Sequence, residues 1–340
     1  MSGRPALAAF FAPVRDTPEH IRLAEELGFS AAWVYDSPLL YHDPYVTLAR
    51  AAERTRRIAL GVGVVVPGLR SAVVIASALS SLGALAPGRV RVAVGAGFTG
   101  RFTLGLGPVP LRRLEREVRA LRALLAGGEA PYEEGGRPVR LLPVPGAGGG
   151  GAIPIYVACR GPRAQALAGR LGDGALTGIF YPGGLARVKQ GIGADLPLVA
   201  HAVGAVAAEG EPLAGPRLAA AVGPVVAAAF HQFAEQPWRL EGLEPGLRTE
   251  VEEYVRRITA RIPPERRHLE LHRGHLVEVV HPEDRELITE DNVRRFAFCG
   301  TREELRARAE QLAADGVTEL AVQPGGDIPA ELGRLAEALL

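Results

Sequence analysis

The chain alternates short apolar runs with longer segments whose apolar residues recur every three to four positions. Ala6 to Ala12 is the first run, and Thr17-Pro-Glu-His opens a helix with a capping residue and an early proline. That helix carries Ile21, Leu23, Ala24 and Leu27 and stops at Gly28. Ala31 to Tyr35 predicts a second strand, closed by Asp36-Ser37-Pro38 and followed by a helix over 44–55. Ile58 to Val66 is almost wholly apolar, the pattern of a strand buried on both faces, and a third helix spans 71–85. In the fourth strand Val90, Val92 and Val94 share one side and Arg89, Arg91 and Ala93 the other. The run breaks into Gly95, Gly97 and Gly100, and an amphipathic helix follows over 111–126 with Leu114, Val118, Leu121, Leu124 and Leu125 on one face.

The rhythm lapses from Gly127 to Ala152, where Pro143 to Gly151 reads as a flexible or loosely draped insertion. It resumes with a strand over 153–158 and its helix over 162–171, a strand over 175–180 and a helix over 185–190, and a seventh strand over 196–206. The last strand is 319–323 and the closing helix 329–340. Eight strands with intervening helices predict an α/β fold, a parallel (β/α)8 barrel of the TIM type, rather than a doubly wound open sheet. The chain is read as one domain over 1–340, with a helical excursion at about 207–295 between strands seven and eight. Helical patterns fall near 216–235, 245–261 and 301–314.

Composition narrows the classes. With 39 basic and 38 acidic residues the net charge is +1, which offers no nucleic-acid or membrane footprint. No uninterrupted apolar run reaches the ~18 residues of a membrane-spanning helix. The N-terminal residues lack the layout of a secretory signal. Cys159 and Cys299 are the only cysteines, so no disulfide framework is expected and a cytoplasmic setting fits.

Barrel enzymes carry their chemistry where strands run into the following loops. Here those ends hold Asp36, Gly61 to Val66, Gly97 to Arg101, Cys159 to Pro162, Thr177 to Phe180, His201 and Gln323. They include no Ser-His-Asp order, no paired carboxylates and no three obvious metal ligands, which suits an enzyme whose cofactor carries the reaction. The glycine loop Gly97-Phe98-Thr99-Gly100-Arg101 is either a plain turn or, with its amides and Arg101, a seat for an anion. Arg160-Gly161-Pro162 opens a helix and suits a phosphate in the same way.

Several stretches carry a family resemblance: Ala24 to Asp36, Pro44 to Ala49, Ile58 to Gly63, Ala76-Ser-Ala-Leu79 with Ala86-Pro-Gly-Arg89, Gly95-Ala-Gly97, Pro154 to Pro162, Gly172 to Leu176 and Cys299 to Glu304. Together they resemble the bacterial-luciferase-like flavin and deazaflavin oxidoreductases, and within them the branch of methylenetetrahydromethanopterin reductase. The resemblance implies coenzyme F420, a deazaflavin, across the barrel mouth, with FMN as the alternative. Asp36 would stand beside ring and substrate, and Gly61, Val62, Gly63 and Val64 would form a bulge behind the ring, where relatives can have a non-prolyl cis peptide. Gly95, Gly97, Phe98, Thr99, Gly100, Arg101, Cys159, Arg160, Gly161, Pro162, Thr177 and Gly178 would hold the side chain and phosphate. Relatives often carry His directly after the strand-two Asp; this chain has Ser37 there, with His42 as a candidate substitute.

The activity implied is hydride transfer between the reduced deazaflavin and an electrophilic carbon of a small organic substrate, with Asp36 and His42 as catalytic candidates. Asp36 by itself also reads as a turn or capping residue, and the resemblance favours the functional reading. The rivals are an FMN-dependent monooxygenase, which would need a partner flavin reductase, and a metal-dependent barrel hydrolase. His268, His272 and His275 have metal-ligand spacing on a helix, but Gly274 interrupts it. No metal is expected; His272 and His275 are assigned to the substrate side or to the surface. A homodimer through the faces of the early helices is expected by analogy.

Overall fold

The computed structural model describes residues 3–132, 135–142, 151–180, 184–236, 240 and 243–340. Most of the expected insertion over 143–151 therefore lies outside the described residues. Eight parallel strands close a barrel in the order β1 (Ala6–Phe11), β2 (Ala31–Val34), β3 (Ala59–Val65), β4 (Val90–Val94), β7 (Ile155–Ala158), β8 (Gly174–Gly178), β9 (Leu198–Val206) and β11 (Glu319–Gln323), which pairs back to β1. Two short strands, β5 (Ala130–Pro131) and β6 (Pro138–Val139), form a hairpin outside the barrel, and β10 (Phe298–Gly300) extends the far end of β9. The helices α1 (Thr17–Glu26), α2 (Pro44–Arg54), α3 (Ala72–Leu85), α4 (Thr99–Phe102), α5 (Leu111–Leu125), α6 (Pro162–Leu171) and α7 (Leu185–Ile192) follow their strands. The excursion contains α8 (Pro216–Glu235), α9 (Pro245–Arg261), a 3-10 turn at Pro264–Arg266, α10 (Arg267–Glu270), α11 (Pro282–Glu286) and α12 (Glu290–Phe296). After β10, α13 (Arg302–Ala314) leads back to β11, and α14 (Ile328–Leu339) closes the chain.

Local chemistry sets the element ends. Asp43 caps α2 by accepting from the amides of Tyr45 and Val46, and Thr301 with Glu304 forms a capping box on α13. One expected glycine loop differs: Thr99 to Phe102 winds into the single turn α4. Although no uninterrupted apolar run was long enough, α8 is by length and composition apolar enough to span a membrane. Its apolar residues are spread around polar ones, and Leu218, Val222, Val226 and Phe230 are buried in the core of the excursion.

Three apolar cores result. The largest lies between the strands' outer faces and the surrounding helices, and the second lies within the excursion. The third fills the barrel lumen with Ala8, Phe10, Ala31, Trp33, Ala59, Ala93, Tyr156, Leu176, Val199 and Ala321. Strand four thus turns its valines outward to the helices, and its Arg91 and Ala93 side faces in. Arg91 Nη1 donates to Glu319 Oε2 at 2.8 Å, and Trp33 Nε1 donates to Glu319 Oε1 at 2.8 Å. A Cβ on Gly61 would lie 2.3 Å from Trp33 Cε3, so glycine is what admits the indole. Gly61→Ala is expected to destabilise the fold by about 1–3 kcal/mol through overpacking. Urea denaturation checks this, and an unchanged midpoint would mean that Trp33 moves aside freely.

Candidate active site at the barrel mouth

Side chains alternate along a strand, so every second residue of each barrel strand faces the lumen. Continuing that alternation to the strands' C-terminal ends brings Phe10, Tyr35, Ala158, Gly178, His201 and Gln323 inward, and the irregularity of β3 between Gly63 and Val65 turns Val64 in beside them. Three of these are joined: Tyr35 Oη donates to Gln323 Oε1 at 2.6 Å and lies 2.9 Å from His201 Nε2. The Phe10 ring packs against both Tyr35 and His201 with centroids 4.5 Å apart in each case. Burial holds the Tyr35 phenol well above its ordinary pKa and pushes His201 down to about 4, so both are neutral near pH 7. Tyr35 was not among the sequence candidates, and His201 and Gln323 were noted there only as strand ends. Strict alternation from Trp33 was the available signal.

Asp36 has the opposite parity. Its side chain has no solvent exposure and is paired with Arg70, Nε to Oδ2 at 3.1 Å, while Arg70 Nη2 donates to Asp43 Oδ2 at 2.6 Å. Burial raises the Asp36 carboxyl, and the Arg70 guanidinium offsets this only in part. The arrangement ties the loop after β2 to the loop after β3 and directs the carboxylate to Arg70. His42 is exposed; its amide donates to Pro13 O, and its imidazole makes no hydrogen bond with a described residue.

The cofactor candidates divide by the same parity. Gly61 and Gly63 lie against Trp33 and Phe10 inside the barrel, and Val62 is buried in the outer core, so of that bulge only Val64 is partly exposed. The strand is irregular there, with a register shift between Gly63 and Val65 and a cis Gly63–Val64 peptide. Cys159 also faces the outer core, where burial pushes its thiol up to about 12, and buried Thr177 shares the outward parity of Ala175. A Cβ on Gly95 would meet Val64 Cγ2 at 2.9 Å, and one on Gly97, at φ +70°, would meet Val66 Cγ1 at 2.4 Å. Both glycines serve close packing of these loops. Phe98 packs edge-on to Phe102 at 4.6 Å, Gly100 lies under the Asp36 carbonyl, and Arg101 Nε donates to Gly107 O at 2.5 Å.

Open space remains at Gly161, where nothing lies within 4 Å of a Cβ, and at Gly178, where the nearest atom is His201 O at 3.9 Å. Arg160, Gly161 and Pro162 are exposed at the start of α6, a ten-residue helix in whose first turn Pro162 has no amide proton and the Ala164 and Gln165 amides donate to Gly161 O, leaving the Arg163 amide with no backbone acceptor among the described residues. A glycine-walled space beside a helix N-terminus fits an anionic, phosphate-bearing cofactor.

The excursion reaches this mouth through one loop. Tyr41 Oη donates to His275 O, Gln323 Nε2 donates to Leu276 O at 2.7 Å, and Thr99 Oγ1 lies 3.0 Å from His275 Nε2. Leu276 takes φ +56°, the one non-glycine in the left-handed region among the described residues. Burial holds His275 well below its ordinary pKa, with His272 and His231 adding to it. His272 stacks on Phe102 at 6.3 Å and is buried within the excursion, while His268 lies apart, beside Gly105.

His231, His281 and Asp284, all buried, are the described residues whose ligand atoms come within 4.8 Å of one another. This trio differs from the His268, His272 and His275 spacing seen in the sequence. Arg261 Nη2 can only donate, so His281 Nδ1 accepts from it at 2.9 Å and His281 Nε2 donates to Leu271 O at 3.2 Å. Both His281 nitrogens are used, and Asp284 already accepts from His231 Nε2 at 3.1 Å and Tyr254 Oη at 2.8 Å. These hydrogen bonds join the trio into a buried polar core in which His231 Nδ1 alone is left without a partner.

A parallel eight-stranded barrel with polar groups and open glycines at its C-terminal mouth defines the class of protein. The chain belongs to the luciferase-like monooxygenase family, whose sequence model matches residues 2–319. It is 32% identical over 172 residues to 5,10-methylenetetrahydromethanopterin reductase of Methanolobus tindarius, covering 50% of this chain and 52% of the relative. It is 36% identical over 188 residues to F420-dependent glucose-6-phosphate dehydrogenase of Beutenbergia cavernae, covering 51% and 54%. The chain thus spans about half the length of these curated relatives. The structure of coenzyme F420-dependent tetrahydromethanopterin reductase from Methanopyrus kandleri superposes with a TM-score of 0.66 at 19% identity, covering 99% of this chain and 98% of that one. An FMN complex of a type II Baeyer-Villiger monooxygenase from Pseudomonas putida gives 0.66 at 13%, covering 99% of each. At these identities both likenesses show the fold.

The Asp36–Arg70 pair yields a pH prediction. Arg70→Met leaves a buried carboxylate unpaired and should cost on the order of 3 kcal/mol at pH 7. Because the folded-state pKa of Asp36 is raised, the folded protein binds a proton that the unfolded chain has released, and stability falls as pH rises through that window. The variant should therefore recover stability relative to the parent as pH is lowered from 7 toward 5. Parallel denaturation curves with no such convergence would remove Asp36 as the partner that matters.

Proposed function

We propose that the protein is an F420-dependent oxidoreductase that transfers a hydride between the deazaflavin and a carbon centre of a small organic substrate at the barrel mouth. The reading rests on the open glycine wall at Gly161 and Gly178 beside the start of α6, in a family whose matched relatives include F420-dependent enzymes. The bound deazaflavin would supply two-electron hydride chemistry. Val64, Ala158 and Gly178 would line its ring, Arg160, Gly161 and Pro162 would receive its phosphate, and the protein's own work is to position the substrate against Phe10, Tyr35 and His201. An FMN-dependent monooxygenase shares the fold and is the second reading, favoured by the FMN-bound structural neighbour.

Titration of the purified protein with F420 and, separately, with FMN decides between them. Gly178→Leu projects into open space and should weaken F420 binding about tenfold or more, roughly 1.4 kcal/mol, without moving the thermal midpoint. Substitution at Gly97 would not serve, because its Cβ collides with Val66. Binding of FMN alone favours the monooxygenase, and binding of neither overturns the cofactor reading.

A further inference from the structure

The segment His272 to His281, between α10 and α11, lies as a strap over one arc of the barrel mouth. The rim holds it through side chains from three places. Tyr41 Oη, after β2, donates to His275 O, and Gln323 Nε2, at the end of β11, donates to Leu276 O at 2.7 Å. Thr99 Oγ1, after β4, lies 3.0 Å from His275 Nε2. In the barrel order these fixings bound the arc β11, β1, β2, β3 and β4. Val277, next along the strap, is exposed. Leu276 at φ +56° holds a conformation that non-glycine residues disfavour, so closure works against the backbone's own preference.

Behind the strap lies a row of imidazoles. The His272 ring is 5.6 Å from His275 and 5.9 Å from His231 between centroids, and His281 is 5.7 Å from His231. His275 Nε2 is engaged with Thr99, and its Nδ1 is buried without a partner. An imidazolium carries a proton on each nitrogen. Whichever tautomer the neutral ring has, protonation therefore leaves Nδ1–H as a buried donor with no acceptor. No carboxylate is free to compensate. Asp284 of α11 accepts from His231 of α8 and Tyr254 of α9, Glu283 is paired with Arg261, and Glu235 of α8 approaches His272 Nε2, at 3.8 Å. Both His281 nitrogens are bonded, and Tyr41 meets the backbone oxygen of His275 as a neutral donor.

We propose that this strap is an acid-released lid: with His275 neutral it closes the arc from β4 to β11, and a proton taken up by His275 frees it from the rim and opens the mouth to ligand exchange. Once released, the ring reaches water, where an imidazolium needs no partner from the protein. One proton is taken from solvent for each strap released, and no covalent bond changes. Burial holds His275 well below its ordinary 6.5, with His272 and His231 adding to it. The closed strap therefore binds fewer protons than the open one. Closure is fully present above pH 6.5 and is lost as pH falls below it, by up to about tenfold per pH unit for one proton. His231 is also lowered, by burial against the opposing pull of Asp284, and adds in the same sense when His272 leaves its side.

Amide hydrogen exchange of the full chain, followed by mass spectrometry with no cofactor added, tests this. The Val277 and Glu278 amides donate to Gly274 O, and a lone turn does not keep such bonds in water, so their protection reports closure. Each rate is taken relative to the intrinsic rate at the same pH, which removes the effect of pH on the exchange chemistry. From pH 7.5 to 5.5 the protection of the strap should fall about tenfold, while that of β1 and β2 stays constant. His275→Gln should remove most of this fall, and so should His275→Asn, either of which suffices if the other does not fold. His268→Gln, whose ring lies apart beside Gly105, should leave the fall unchanged. Strap protection that is flat over this range overturns the proposal. So does a fall shared by β1 and β2, which is unfolding of the barrel, or the full fall retained in a folded His275 variant.

Discussion

The interaction on which the mouth depends lies beneath it, inside the barrel. Glu319 on β11 accepts from Trp33 Nε1 on β2 and from Arg91 on β4, linking three strands across the lumen. A buried carboxylate would be costly alone; with two donors its hydrogen-bonding needs are met, and what the cluster contributes is specificity more than net stability. It fixes the indole, and the indole fills the space that Gly61 leaves. With Phe10 beside it, the lumen is a packed plug, as barrel interiors of this size are. A ligand can then reach only the layer above, where Tyr35, His201 and Gln323 end their strands.

That layering explains what was legible in the sequence. The eight apolar runs, their helices and the excursion could be read because each repeat carries its own punctuation: the Gly28 stop, the Ser71 cap, the Pro162 start. Which face of each strand turns inward could not be read as easily. Parallel barrel strands are buried on both sides, so Ile58 to Val66 shows no polar face to orient it. In strand four the valine and arginine sides could be separated but not assigned to core or lumen, and Arg91 faces in because Glu319 is there to receive it. The partner lies 228 residues away, beyond any local pattern.

The same ambiguity decided the fate of individual candidates. Asp36 attracts attention as an acid at a strand end, but it falls one residue past Tyr35 and so faces the helices, where Arg70 and Asp43 complete its environment. Val62, Cys159 and Thr177 are outward for the same reason. The excursion was legible as helices but not as a group of contacts: His231, His272 and His281 converge from three segments, with ring centroids 5.9 and 5.7 Å from His231. Of the three that the local spacing had grouped, His268 lies apart beside Gly105, while His275 stays in edge contact with His272 at 5.6 Å between ring centroids and reaches Thr99 beyond Gly274 at φ +72°.

A neutral ring suits this mouth better than a carboxylate would. The wall around His201 is aromatic and aliphatic, and an ionised acid placed there without a partner would be desolvated and would shift toward its protonated form, losing the lone pair it was meant to offer. A cofactor bearing phosphate would add like-charge repulsion to that cost. Histidine avoids both, because burial holds its pKa near 4 and the ring carries no charge near pH 7. Asp36, paired with Arg70 on the outer side of the strand, can stay ionised because its compensating charge is built in. The barrel therefore separates the two groups, with the Asp36–Arg70 ion pair holding the loops together and the neutral His201 ring facing the lumen beside Phe10 and Tyr35.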